Sequence, residues 1–318
     1  MPRIASPNVA GRLPERSSGK SRVARGMILM AIAMLILPLM DAFAKLLSTT
    51  YGVNAGQTTF GRFMVQATLL CLVILVLRGP KALKLKRPGI NLLRGAIMGI
   101  AVSLFFTTLR YMPIADAIAV FFIEPFVLTA LSVIFLGEKV GWRRLGAVIV
   151  GFIGALFIIQ PSYEVFGPVS LLPMGTAVLF AIYLLITRKF AEGDDPLAMQ
   201  FMSGIGGAAT LLVAMVVGTL LNVDNYELGL PDTGVAWTLI FAIGVLATIG
   251  HLMVVIAFKW ANASILAPFQ YLEIVGATAF GYYFFGDFPD ALKWLGIAII
   301  IGSGLYLFVR EKAASEEN

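Results

Sequence analysis

The sequence predicts an all-α polytopic membrane protein of ten transmembrane helices, arranged as two inverted five-helix repeats. Three observations carry this. Hydrophobic residues make up 59% of the 318 residues and charged residues only 13%, about half the charge of a soluble domain. About ten apolar runs are each long enough to cross a hydrocarbon core, which takes about 20 helical residues. Two stretches 149 positions apart share one pattern, RYMPIADAIAVFFIEPFVLTALSVIFLGE at 110–138 and KWANASILAPFQYLEIVGATAFGYYFFGD at 259–287. Glu124 falls on Glu273, and Gly137-Glu138 falls on Gly286-Asp287. Each half therefore holds one acid inside an apolar run that closes in a Gly-acid pair. A β-barrel is excluded, because the runs do not alternate and are about twice the length of a barrel strand.

The runs follow in order. Residues 1–26 are polar and basic and read as a disordered cytoplasmic tail. The first run, 27–47, carries Asp41 and Lys45 four residues apart on one helical face. A cleaved signal peptide is the rival reading of this run, but the long tail before it and the repeat arithmetic both require the helix. The second run, 56–77, holds Arg62 and the single Cys71, so no disulfide forms within one chain. The third, 91–110, contains Gly95 and Gly99 in GxxxG spacing, which lets backbones approach and admits a homodimer seam as well as internal packing. The fourth, 114–136, contains Glu124 followed by Pro125, a kink site. The fifth, 142–160, carries the small-residue stripe Ala147, Gly151 and Ala155. In the second half the runs are 168–188, 197–220, 235–258, 264–286 and 291–309. His251, the one histidine, lies in the eighth, and Pro268 and Glu273 lie in the ninth.

Orientation follows from Lys and Arg. They crowd the first tail, the connection at 78–87, the positions Lys139, Arg143 and Arg144, the pair Arg188 and Lys189, Lys259, and the last tail with Arg310 and Lys312. The opposite connections, 48–55, 161–167, 221–234 and 287–290, hold neither. Both termini are then cytoplasmic, in a multi-pass cytoplasmic (inner) membrane protein. The net charge of +6 needs no nucleic acid, since the positive-inside bias and anionic lipid account for it. The boundaries become 27–160 for the first half, a short outer loop at 161–167, 168–310 for the second half, and a tail at 311–318. An odd helix count per half makes the second half enter from the opposite side, the architecture of alternating access.

Charges inside the membrane single out the candidate site, since each costs about 2.5–3.5 kcal/mol at helix centre on insertion scales. Glu124 and Glu273 lie about ten residues into their runs, about 15 Å deep. Either can carry a proton, bind a solute ammonium, or tie helices together as a structural acid. His251 can relay protons with Glu273 or hydrogen-bond a neighbouring helix. Asp41, Lys45, Arg62, Arg110 and Asp116 all fall in the outer half, as an ion-pair gate or as snorkelling cations with fixed counterions. Phe121, Phe122, Phe269 and Tyr271 flank the two acids and are the candidate cavity aromatics. One histidine and one cysteine build no typical zinc site, and no cofactor or metal is called for.

These features resemble the drug/metabolite transporter superfamily, with two EamA-type halves over about residues 27–310. The resemblance rests on ten helices in two fives, the Gly-acid pair closing the fourth helix of each half, the late basic residue of each first helix (Lys45, Arg188), and Arg62-Phe63. It implies a central cavity walled by helices 1, 3, 4, 6, 8 and 9, with 5 and 10 outside. It also implies a secondary transporter of a small organic metabolite. The segment Leu39-Met40-Asp41-Ala42-Phe43-Ala44-Lys45 is similar to members that take up riboflavin or S-adenosylmethionine. Export of amino acids or drugs is the alternative within the superfamily. An intramembrane enzyme is the alternative outside it, and would need a nucleophile-base pair, metal cluster or phosphate site that these residues do not form. No GxxxxGK[ST] motif appears, so energy would come from a gradient.

Overall fold

A computed structural model describes residues 15–138, 141–159, 167–190, 195–286 and 291–316. Lys139, Asp287 and Asp290 lie outside the described residues, as do the side chains of Arg143, Arg144, Ala155, Arg310 and Lys312. The described chain is helical: α1 (Glu15–Thr50), α2 (Ala55–Arg78), α3 (Pro88–Leu109), α4 (Ile114–Phe121), α5 (Glu124–Leu136), α6 (Trp142–Ile159), α7 (Leu171–Phe190), α8 (Pro196–Leu220), α9 (Gly234–Trp260), α10 (Ala263–Gln270), α11 (Leu272–Phe285) and α12 (Ala291–Glu316). Among the described residues, six helices are long and apolar enough to cross a membrane: 22–50, 55–78, 88–109, 167–190, 196–220 and 234–260.

Local chemistry sets the ends. Asn54 caps α2 by accepting from the Gln57 amide at 2.8 Å, Asp195 caps α8 and Thr233 caps α9. Pro88 and Pro196 open their helices, where a missing N–H leaves nothing unbonded. Both Gly-acid pairs have a backbone cause: Gly137 (φ 65°) and Gly286 (φ 75°) are left-handed C-caps of α5 and α11, a conformation that favours glycine. Two expected boundaries move. Residues 15–26, expected as tail, continue α1, and 311–316 continue α12, because extending an existing helix needs no new nucleus.

The fourth and ninth runs, expected as single helices, are each divided. α4 stops at Phe121 and α5 starts at Glu124; α10 stops at Gln270 and α11 starts at Leu272. Pro125 explains the first division, since it cannot donate to the carbonyl one turn earlier. The two divisions occupy equivalent places, with α4 and α10 offset by 149 residues at both ends. Packing obeys the same symmetry: α1 packs on α9 and α3 on α7, α2 packs on α8, and α6 packs on α12 away from the centre.

The small-residue stripes are used inside this bundle. A Cβ on Gly95 would strike the Ser203 backbone of α8, and one on Gly99 would come to 2.8 Å from Leu211. A Cβ on Gly151 would strike the Tyr271 ring, and Ala147 is buried. The GxxxG seam therefore packs α3 on α8 within one chain and is not free to serve a dimer.

Candidate functional site

A small cavity of about 50 Å³ lies at the centre of the bundle. Its walls come from α1, α3, α4, α7, α9 and α11, the six columns implied by helices 1, 3, 4, 6, 8 and 9. The polar lining is Asp41, Thr176, His251 and Glu273. Methionines Met34, Met40 and Met98 and the rings of Phe105, Phe121 and Phe180 supply the apolar lining. Phe121 meets Phe105 at 5.8 Å and Phe180 at 5.5 Å between centroids, both edge to face.

The structure separates the two membrane acids. Glu273 lines the cavity. Glu124 does not; it is 0% exposed, and the Gln270 amide, oriented nitrogen-first, donates to both of its oxygens. Glu124 thus joins α5 to the end of α10, across the two halves. Glu124→Ala is expected to lower unfolding stability by about 1–3 kcal/mol, by leaving the Gln270 amide buried without a partner. Glu124→Gln keeps a partner and loses less. Thermal unfolding in detergent measures both; loss of uptake in Glu124→Gln with an unchanged melting temperature would give Glu124 a coupling role instead.

His251 faces the cavity with both ring nitrogens unbonded among the described residues. Phe180 and Tyr183 flank it, with centroids at 6.3 and 6.4 Å. Behind it lies a polar cluster that sequence order does not reveal. Arg94 of α3, fully buried, donates to Asn91 at 2.8 Å, to Gln200 at 2.6 Å and to the Tyr183 hydroxyl at 3.2 Å, and its guanidinium carbon lies 4.9 Å from the Tyr183 ring centroid. These bonds satisfy its two terminal nitrogens, which is what lets a guanidinium stay in an apolar bundle.

The five candidate gate residues do not form one group. Arg62 is fully buried, stacks on Phe63 at 4.6 Å, and has no hydrogen-bond partner among the described residues. Arg62 is absent from the cavity lining, where Asp41 of α1 is present. Lys45 donates to the Met112 carbonyl at 3.3 Å and sits 5.0 Å from the Phe285 ring centroid. Arg110 is exposed and donates to Asn225 at 3.0 Å. Asp116 is half-buried in the first turn of α4.

Of the four candidate aromatics, Phe121 lines the cavity. Phe122 is buried against Tyr271 at 5.2 Å, edge to face, and Phe269 lies in a lateral apolar groove with Met27, Leu35 and Leu272. These three are absent from the lining of the central cavity. Phe105, Phe106 and Phe180 were not singled out by sequence, since nothing marks them off among the phenylalanines of their runs.

Comparison with known proteins agrees with this architecture. A family model for the EamA-like transporter family matches residues 24–160 and 168–309. The S-adenosylmethionine uptake transporter of Rickettsia bellii is 30% identical over 86% of this chain and 90% of its own length. The riboflavin transporter of Vibrio cholerae is 27% identical over 92% and 97%, and the pseudopaline exporter of Pseudomonas aeruginosa 27% over 87% and 93%. One solved structure, 18% identical, superposes with a TM-score of 0.73 over 90% of this chain and 98% of that one, and so shares the fold.

Proposed function

The chain belongs to the EamA-like transporter family, and from that premise we propose that it imports a cationic, nucleoside-like metabolite across the cytoplasmic membrane by alternating access. It is a multi-pass membrane transporter of small metabolites rather than an enzyme. The observation that carries the finer reading is the lining of the central cavity. Two carboxyl side chains, Asp41 and Glu273, face the same space as the rings of Phe105, Phe121 and Phe180. Carboxyls answer a solute cation, and ring faces answer a flat heterocycle.

S-adenosylmethionine joins a flat base to positive groups, whereas riboflavin offers the flat ring without the cation. The relatives named for S-adenosylmethionine uptake and for riboflavin transport support the nucleoside-like class, and the two acids favour the cationic member. In this reading the solute lies between the halves, with Asp41 and Glu273 as charge partners, His251 and Thr176 as hydrogen-bonding groups, and both termini in the cytoplasm. The face where α1 ends is then the outer one.

Proteoliposomes loaded with purified protein test this. Labelled S-adenosylmethionine is expected to accumulate and to be displaced by unlabelled compound in micromolar excess more strongly than by riboflavin. Uptake of riboflavin alone would overturn the cation assignment. Movement only from the cytoplasmic face outward would overturn import and favour the export known for the pseudopaline relative.

A further inference from the structure

We propose that Lys45 and Arg188 are a symmetry-related pair of clasps, one on each face, whose alternate release opens the central cavity first to one side and then to the other. The proposal rests on the alternating-access reading above and names the residues that would execute it. Each basic residue sits near the end of the first helix of its half, Lys45 in α1 and Arg188 in the last turn of α7. Each reaches the carbonyl end of the third column of its own half. Lys45 donates to Met112, just past α3, at 3.3 Å. Arg188 donates to the Phe258 carbonyl of α9 at 2.7 Å and to Asn262 at 2.7 Å. A cation at the carbonyl end of a helix is favourable on both counts, as a donor to free carbonyls and as a charge against the dipole.

Each also touches the far end of the fourth column of the opposite half. Arg188 Nε lies 3.6 Å from Glu138 Oε1, next to the left-handed cap of α5, in a pair whose side chains are 16% and 8% exposed. Lys45 lies over Phe285, the last residue of α11. The repeat that sets Glu138 on Asp287 supplies an acid two residues beyond Phe285 in sequence. The two contacts lie at opposite ends of the bundle, because α1 and α7 run in opposite senses in inverted halves. Both are closed in this structure. Rocking the halves must separate one cross-half contact at a time, since each joins a first column to the opposite fourth column.

Thiol labelling from each face tests this. A Met98→Cys reporter in the cavity, in a Cys71→Ser background, is treated with a membrane-impermeant maleimide in right-side-out and in inside-out vesicles. Lys45→Gln is expected to raise the labelling rate about tenfold from outside only, and Arg188→Gln about tenfold from the cytoplasmic side only, the scale of losing a charged hydrogen bond. Arg188→Lys is expected to label like its parent. Glu138→Gln, which removes the cross-half ion pair with Arg188, reports on the same face should Arg188→Gln not fold. Opening on the same face by both variants, on both faces by either, or on neither would overturn the clasps. Labelling does not depend on uptake, so face-specific labelling in a protein that carries no tested solute supports the clasps and removes the transport reading alone.

Discussion

Asp41→Asn is expected to lower the kcat/KM for a cationic solute at least about 30-fold while the protein still folds. Asp41 lines the cavity at 3% exposure. On the reading proposed above, the substitution removes the carboxyl that faces the solute cation. Truncating one partner of a buried charge pair costs about 2–5 kcal/mol, which corresponds to roughly 30-fold or more. Asp41→Glu retains the charge and is expected to recover most of the uptake. Initial uptake rates over a range of solute concentrations, alongside melting temperatures, separate these effects. An unchanged KM in Asp41→Asn would remove the carboxylate from solute recognition.

Gly206→Leu is expected to abolish folding. A Cβ at Gly206 would strike the backbone carbonyl of Leu92 in α3, just as one at Gly95 would strike that of Ser203 in α8. The obstacles are backbone atoms, so no rotamer change relieves them, and α3 and α8 must move apart. That movement would break the Arg94–Gln200 hydrogen bond of 2.6 Å between α3 and α8. Overpacking of a close contact costs about 1–3 kcal/mol or more, and an unsatisfied buried guanidinium adds to it. Gly146→Ala is the control, since nothing lies within 4 Å of its added methyl; it is expected to be neutral or slightly stabilising. Size-exclusion profiles in detergent distinguish the two, and a monodisperse peak for Gly206→Leu would contradict the packing described.

Much of the fold was legible because a repeat constrains more than a single run does. The offset that pairs Glu124 with Glu273 also places α4 and α10 in register at both ends, and it anticipated two equivalent glycine caps. The difference between the two acids was not legible, because each reads as one carboxyl inside an apolar run. Its cause is a single position. Gln270 faces Glu124 and binds it, but the residue that the repeat sets on Gln270 is Phe121, which has no group to offer Glu273. The Arg94 cluster was hidden for another reason. Arg94 sits near the start of α3 beside a basic connection, where arginine reads as orientation signal, and its partners Tyr183 and Gln200 come from the other half. The dispersal of the gate candidates was likewise invisible, since depth along a helix does not say which side of it a residue faces.

The exchange of Gln270 for Phe121 bears on energetics as well as recognition. A carrier with identical halves would have two equally populated orientations when empty. Here Glu124 is tied to Gln270 across the two halves, whereas Glu273 faces the cavity beside Asp41, so swapping the halves' shapes does not return the same energy. The two orientations of the empty protein therefore differ in energy.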